Sequence, residues 1–290
     1  MQMTIDTRVP SLVKAEVVRE YGVMFPEGNK AYVENVFAWA EACFTGKYRD
    51  YQPIDALYHD FEHTLQGLLC MARLLRARHL AKAPPVLTQH LVELGLLAIL
   101  LHDTGYLKKR GDLAGTGAKY TLTHVDRSAD FAATLMKEHG YPKEDIKAVQ
   151  NMIRCTGVNV KIEAIPFQSE MERIAGYVLG TSDLLGQMAA NDYVDKLPIL
   201  FAEFAESAAY NATHGGKGKS LFTSAADLME KTPGFWRNYV LPKINKEFLG
   251  LHTFLNDPFP SGPDCYIESI EANLARLEAS LKRSPVPATA

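Results

Sequence analysis

The 290-residue sequence has few of the features that mark secreted or nucleic-acid-binding proteins. Its four cysteines, Cys43, Cys70, Cys155 and Cys265, lie far apart and form no C-x-x-C pair, which argues against a disulfide framework or a zinc knuckle. Lysine and arginine number 31 against 34 acidic residues, so there is no excess of positive charge for a nucleic-acid polymer. We therefore expect a soluble, cytoplasmic protein of enzyme size.

Long apolar runs are missing too. The longest, residues 94–101, includes Gly95 and is far shorter than the roughly 20 residues that a membrane helix needs. Residues 1–14 are polar and mixed, without the basic and apolar blocks of a secretory signal. We expect neither a membrane segment nor a targeting peptide.

Helical periodicity dominates what is present. Apolar residues recur at three- and four-residue spacing over residues 31–44 and 65–79. Residues 86–101 are apolar on all sides, as in a helix at the centre of a bundle, and Gly105 follows them as a left-handed cap. Ser169 starts another helix with a capping box. The other predicted helices cover residues 123–139, a segment that opens at Pro142, and residues 169–190, 194–210, 225–230 and 266–282.

Four stretches lack a helical pattern. Residues 158–164 alternate like a strand, but without a second such run we expect an extended connection. The glycine-rich stretches 111–119 and 214–220 are expected to be mobile loops, and residues 284–290 a disordered tail. Residues 1–290 are thus predicted to form one all-helical domain.

Side chains that are costly to bury occur beside the apolar helices. His59 and His63 are four residues apart, so on a helix both imidazoles would share one face. His102 and Asp103 end the most apolar helix, and Asp183 lies within another one. An ionised carboxylate in an apolar interior is unfavourable unless it is paired or bound to metal. Since neither aspartate has an obvious basic partner, the pattern favours a bound cation.

Each of these residues also has an ordinary structural interpretation. His59 fits an exposed loop, and His63 and His102 fit core histidines that bond to backbone carbonyls. Asp103 fits a C-terminal turn, although a carboxylate there opposes the helix dipole. Asp183 fits a hydrogen bond to an upstream hydroxyl. These alternatives stay open at the level of sequence.

The order of these motifs resembles a known family. His63, the pair His102-Asp103 and the distant Asp183 resemble the H…HD…D pattern of the HD superfamily of metal-dependent phosphohydrolases, which are all-helical. The segment YHDFEH is similar to YHNxxH of class I cyclic nucleotide phosphodiesterases, and HVDRSA to the HExxSA element of bacterial HD proteins. The resemblance covers residues 55–195 and implies an HD-domain-like helical bundle with extra helices at both ends.

The resemblance implies roles for the matching residues. His59 is expected to protonate the leaving group. Asp103 is expected to act in catalysis by bridging to a second ion, which His124 would help to hold. Mixed imidazole and carboxylate ligands suit one or two divalent ions, among Mn²⁺, Fe²⁺, Zn²⁺, Ni²⁺ and Mg²⁺. The expected ligands of the first ion are His63, His102, Asp103 and Asp183.

The sequence also departs from the family patterns. Tyr106 stands where the phosphodiesterases have a later histidine, and residues 152–155 stand where two-metal HD proteins have a second one. Lys108, Arg127 and Arg154 are candidates for phosphate contacts, with solvent exposure as the alternative for the lysine.

These observations predict a metal-dependent phosphoric ester hydrolase. Its expected partner is a small phosphorylated substrate, with a nucleotide or cyclic nucleotide as candidates, and neither a nucleic-acid polymer nor a membrane. A di-iron oxygenase of the same fold and a catalytically silent nucleotide-binding regulatory domain are the alternatives. Association into a homo-oligomer stays open.

Overall fold

A computed structural model describes residues 5–214 and 220–283. Within this part the chain forms ten α-helices and, in place of strands, two isolated antiparallel bridges, so the all-α prediction is confirmed. No helix in the described ranges has the length and apolar character to cross a membrane. Most of the glycine-rich stretch 214–220 and all of the expected tail 284–290 lie outside these residues. The helices are α1 (Pro10–Met24), α2 (Lys30–Phe44), α3 (Phe61–Leu80), α4 (Gln89–Leu101), α5 (His124–Glu138), α6 (Lys143–Arg154), α7 (Glu170–Met188), α8 (Tyr193–Thr213), α9 (Ala225–Phe235) and α10 (Cys265–Arg283).

Side-chain caps fix the starts of the helices that carry the candidate site. The carboxylate of Asp60 accepts a hydrogen bond from the backbone N–H of His63 at 2.8 Å and so begins α3. Ser169 caps α7 in the same way, as predicted. Thr88 caps α4, which therefore begins at Gln89 rather than at residue 86. α4 contacts α2, α3, α6 and α7, as expected of a central helix.

Helices α3 and α7 approach each other closely at two glycines. A Cβ atom added to Gly186 would lie 2.7 Å from the carbonyl oxygen of Gln66, too close for any side chain. A Cβ atom on Gly67 would lie 3.7 Å from the Cα atom of Asp183. The glycines therefore let the helices that carry His63 and Asp183 pack backbone against backbone.

The periodicity indicated no helix in two regions of the fold. α1 forms in one of them, and its residues Val13, Val17, Tyr21 and Met24 are buried at helical spacing. Two π-helical turns, Trp236–Val240 and Lys243–Glu247, follow α9. Both regions extend the bundle beyond the segments that the periodicity had indicated.

The prediction that Gly105 caps α4 in a left-handed conformation is wrong. Gly105 lies in the 3₁₀ turn Thr104–Tyr106 and is not among the glycines with positive φ, whereas Gly140 after α5 is, at 77°. A Cβ atom on Gly105 would lie 2.0 Å from the carbonyl oxygen of His124. The start of α5 thus rests directly on the turn that follows Asp103, and only glycine leaves room for it.

Candidate metal centre

Helices α3, α4 and α7 bring four predicted residues to one place. His63 Nε2 and His102 Nε2 each lie 3.2 Å from Asp103 Oδ2 and 3.4 Å from Asp183 Oδ1. Ligand atoms of His63, His102 and Asp103 all lie within 4.8 Å of one another. Asp183 is outside this mutually close group, although it reaches both imidazoles. We call these four residues the metal centre.

The metal centre contains buried polar atoms without partners. His102 Nδ1 lies 2.7 Å from the carbonyl oxygen of Ile99, to which it donates, so Nε2 is the nitrogen that offers a lone pair once the ring has lost its second proton. His102 Nε2 and Asp103 Oδ2 are buried and have no hydrogen-bond partner in the described part of the chain. Both residues are only 1% exposed. Two acceptors 3.2 Å apart repel each other unless a proton or a cation lies between them.

The spacing of these atoms fits a divalent ion. Ligands bound at about 2.1 Å to one ion are about 3.0 Å apart at octahedral angles and about 3.4 Å apart at tetrahedral angles. The separations of 3.2 and 3.4 Å at the metal centre match this range. Two imidazoles with carboxylates suit Mn²⁺, Fe²⁺, Zn²⁺ or Ni²⁺. The residues present therefore fit a bound metal, and their identity as its ligands remains a prediction.

Charge within the metal centre is shared between imidazoles and carboxylates. Burial opposes protonation of His63, but Asp103 and Asp183 outweigh it and raise the pKa of His63 to about 9. The pKa of His102 is raised well above its ordinary value by the same carboxylates, again against burial. Burial would raise the pKa of Asp103 and Asp183, yet the two imidazoles hold both values low. A metal ion must therefore displace protons in order to bind.

The structural alternative for Asp183, a hydrogen bond to an upstream hydroxyl, is wrong. The hydroxyls of Thr181 and Ser182 have no hydrogen-bond partner among the described residues, so neither of them holds the carboxylate. Instead, Gln187 Nε2 lies 3.4 Å from Asp183 Oδ1, the same oxygen that faces the imidazoles. The carboxylate of Asp183 is directed at the metal centre.

His124 lies on the other side of Asp103. Its Nε2 atom is 3.8 Å from Asp103 Oδ1, the oxygen that His63 and His102 do not contact. Its Nδ1 atom lies 2.7 Å from the carbonyl oxygen of Thr121, to which it donates, which leaves the lone pair on Nε2. Burial lowers the pKa of His124 and favours the neutral ring. This placement agrees with a second ion bridged by Asp103, which stays a prediction.

His59 is held by a residue that the sequence did not indicate. Its Nδ1 atom lies 2.5 Å from Oε2 of Glu203 on α8, and the backbone N–H of Tyr58 donates to Glu203 Oε1 at 2.7 Å. The side chain of His59 is 14% exposed, so the exposed-loop alternative is wrong. Glu203 lies 144 residues further along the chain, in a segment without a motif. No local signal could have paired it with His59.

Tyr106 lies beside His59 and His124. Its ring stacks on His59 with 4.7 Å between centroids and on His124 with 4.8 Å. The ring is fully buried, and its hydroxyl has no hydrogen-bond partner among the described residues. Where the phosphodiesterase pattern has a histidine, this chain therefore has an aromatic wall.

The two arginines expected to contact phosphate lie in different settings. Arg127 donates to the carbonyl oxygens of Gly105 at 2.7 Å and Leu107 at 2.9 Å, so it clamps the turn after the HD pair. Arg154 Nε lies 3.9 Å from Asp126, and its Nη1 has no hydrogen-bond partner in the described ranges. The position of Arg127 supports a structural role, whereas Arg154 keeps donor capacity. Their phosphate contacts stay predictions.

Lys108, the third phosphate candidate, belongs to a second buried charged region, which we call the lysine cluster. Its Nζ lies 2.7 Å from the carboxylate of Asp55, and Nζ of Lys119 lies 2.6 Å from that of Asp112. The lysines are 4% and 3% exposed. Within the stretch 111–119, Thr116 bonds to Glu206 and Gly117 to Asp55, so its end is anchored, and its mobility stays a prediction. The ammonium group of Lys108 faces Asp55 instead of a ligand.

Comparison with known proteins gives one family. A model of the Npun_R2479-like family matches residues 110–256, just over half of the chain. The matched range includes His124, Asp183 and Glu203, whereas the HD pair precedes it. No curated protein matches the chain. The match thus covers the half of the molecule that carries α5 to α9.

Proposed function

We propose that this chain, which belongs to the Npun_R2479-like family, is a metal-dependent phosphohydrolase that acts on a small phosphoester. The observation that carries the proposal is the buried pair His102 Nε2 and Asp103 Oδ2, which face each other without a partner in the described residues. Leaving such groups unpaired costs about 1–3 kcal/mol each. A divalent ion bound there would act as a Lewis acid and would make a bound water more acidic.

His59 and Glu203 supply the proton chemistry in this proposal. Because Glu203 accepts the Nδ1–H of His59, Nε2 is the remaining ring nitrogen, and the imidazolium form of His59 would give its Nε2 proton to the leaving oxygen. Burial opposes the charged form of Glu203, but His59 outweighs it and lowers the pKa of Glu203. An ionised Glu203 carboxylate holds the ring of His59 in this orientation.

The substrate must approach from the side on which His59 and His124 lie. Side chains of His102 and Asp103 are 2% and 1% exposed, whereas those of His59, His124 and Asp183 are 14%, 19% and 11% exposed. Solvent therefore reaches the metal centre along the face that carries these three residues. A nucleotide or cyclic nucleotide remains a candidate for the ester that enters there.

The proposal is tested by metal analysis and a substrate panel. Protein purified without added metal is analysed for bound elements and then assayed on phosphomonoesters, phosphodiesters and cyclic nucleotides with each divalent ion. We expect hydrolysis that depends on metal and is lost in His102→Ala. His90→Ala is the matched control, because His90 pairs with Asp145 at the opposite end of α4.

Three results would contradict the proposal. Wild-type activity in a folded His102→Ala protein would separate hydrolysis from the metal centre. Two irons per chain with oxygen-dependent turnover would point to the oxygenase. Calorimetric binding of a nucleotide without turnover, at full metal loading, would point to the regulatory domain.

A further inference from the structure

A buried arginine lies near the end of α3 that is remote from the metal centre. Arg78 follows His63 by 15 residues, which corresponds to about 22 Å along the helix axis. The residue is only 3% exposed. A guanidinium group keeps its proton even when it is buried, so its charge is unfavourable there unless a partner lies beside it. The proposed hydrolysis does not use this residue.

The guanidinium group of Arg78 has no acidic partner in residues 5–214 and 220–283. Its Nη2 donates to the carbonyl oxygen of Pro85 at 2.8 Å, and its Nε is buried without a hydrogen-bond partner. Burial lowers the pKa of Arg78, and no described carboxylate opposes this effect. In contrast, Nε of Arg76 on the same helix lies 2.9 Å from the carboxylate of Glu20. Arg78 is therefore a buried charge that the described chain does not neutralise.

A small cavity lies against Arg78, between the end of α3 and the segment that leads into α4. Its volume is about 10 Å³, which is room for one body of about the size of a water molecule. The two polar side chains that line it, those of Arg78 and His79, carry N–H donors. The other described residues around the cavity are apolar, with Leu75 and Val92 among them. A cavity that offers only N–H donors and apolar surface suits an anion.

The size and the walls of the cavity select among anions. Chloride is close to a water molecule in size, whereas phosphate, sulfate and carboxylates are several times larger. Apolar walls cannot replace a hydration shell, so chloride, which is weakly hydrated, loses less on entry than fluoride does. Beside Arg78, the buried anion and the buried cation would each become the partner that the other requires.

We infer that this cavity is a chloride site in which the guanidinium group of Arg78 holds the anion. The donors are the N–H groups that Pro85 does not engage, among them the buried Nε–H. The imidazole of His79 borders the same space and supplies a further donor. The anion would thus join the last turn of α3 to the start of α4. This site is distinct from the metal centre and needs no metal.

The dependence of stability on chloride tests the inference. Thermal unfolding of chelator-treated protein is measured in sodium chloride and in sodium gluconate at equal ionic strength, because gluconate is too large for the cavity. An ion that binds only the folded state stabilises it, so we expect the melting temperature to be a few degrees higher in chloride. Since the protein is free of metal, the result does not depend on the proposed hydrolysis.

Arg78→Met tests the guanidinium group itself, because it removes the charge and keeps an apolar side chain. We expect the difference between chloride and gluconate to disappear in this variant. Arg76→Met is the matched control and should keep the difference, because Arg76 already has a carboxylate partner. Should Arg78→Met fail to fold, crystals of the wild-type protein in sodium bromide replace it, and we expect the anomalous signal of bromide beside Arg78.

Any of three outcomes overturns the inference. The wild-type protein melts no higher in chloride than in gluconate, which would show that carbonyl groups such as that of Pro85 satisfy Arg78 on their own. In the second outcome, Arg78→Met keeps the full effect of chloride, which would place the anion elsewhere. In the third, bromide gives no anomalous signal beside Arg78.

Discussion

The metal centre and the lysine cluster both bury charge, but they satisfy it differently. Each buried ammonium group of the lysine cluster has a carboxylate within 2.7 Å. In the metal centre, two facing acceptors, His102 Nε2 and Asp103 Oδ2, lack partners among the described residues. Lysine keeps its proton beside a carboxylate, whereas the imidazoles of the metal centre, whose pKa the carboxylates raise, would give up their protons to an incoming ion. The comparison separates a charge pair that stays fixed from one in which a metal ion would replace protons.

The largest expected effect comes from removing one charge at the metal centre. Asp103→Asn preserves the shape of the side chain and takes away its anionic oxygen. We expect bound metal to be lost and hydrolysis to fall about a thousandfold, equivalent to about 4 kcal/mol of activation free energy. Elemental analysis and steady-state assays measure this. The variant Asp112→Asn, which changes the lysine cluster, should keep metal at the metal centre. Loss of metal from this variant would erase the distinction between the two regions.

Metal removal should affect the stability of only one region. At ion concentrations 100 times the dissociation constant, binding stabilises the folded state by about 2.7 kcal/mol. We therefore expect a chelator to lower the melting temperature of the wild-type protein by several degrees. Asp103→Asn should melt at the same temperature with and without chelator. An unchanged wild-type melting temperature would show that no ion is held tightly.

Breaking the lysine cluster should destabilise the protein whether or not metal is present. Asp112→Ala leaves the buried ammonium group of Lys119 without its carboxylate. We expect a loss of about 2 kcal/mol in the free energy of unfolding by urea, since Asp112 is partly exposed. The double variant with Lys119→Met should recover most of this loss. A loss that persists in the double variant would assign it to packing.

Glu203→Gln should reduce activity moderately, because Glu203 positions His59 without touching an ion. We expect kcat to fall about tenfold while metal content and KM stay close to wild type. A parallel loss of metal would instead indicate a general distortion of the metal centre. Full activity would exclude His59 as the proton donor in its present orientation.

Competition between protons and the metal ion is expected to give the smallest of these effects when the pH changes by one unit. The pKa of His63 is raised to about 9 in the metal-free protein, so below that pH binding of an ion releases a proton. Metal affinity should fall about tenfold per unit as the pH drops from about 8 to 7, for each proton released. In the lysine cluster, Lys119 holds the pKa of Asp112 low, so the charges of this pair stay constant over the same pH range. Titration calorimetry at several pH values measures the slope, and a flat profile would contradict proton release.

Sequence periodicity was sufficient for most of the fold. In α2, α3 and α7 the spacing of the buried residues can be read directly from the local sequence. Ser169 marks the start of α7 as predicted. α1 carries a similar spacing, but Glu20 lies among its buried positions and pairs with Arg76 on α3. An ion pair between helices makes a core position look like a surface one. Such partners are invisible until the chain is folded.

Partners that are distant in the sequence also explain which residues of the candidate site were predicted and which were missed. The motifs indicated His63, His102 and Asp103, and the structure brings them together. Lys108 looked available for phosphate because its partner Asp55 is 53 residues away in the sequence. Glu203 was missed for the same reason. Motif spacing identifies residue types suited to a chemistry, whereas availability depends on tertiary partners.

The two glycines between α3 and α7 have a consequence for which ions fit. Because Gly186 lies against the backbone of Gln66, the distance between the helices is set by main-chain atoms rather than by deformable side chains. The distance between the imidazole of His63 and the carboxylate of Asp183 is therefore held rigidly as well. Selection by ionic radius would then rest on a contact made by residues that never touch the ion.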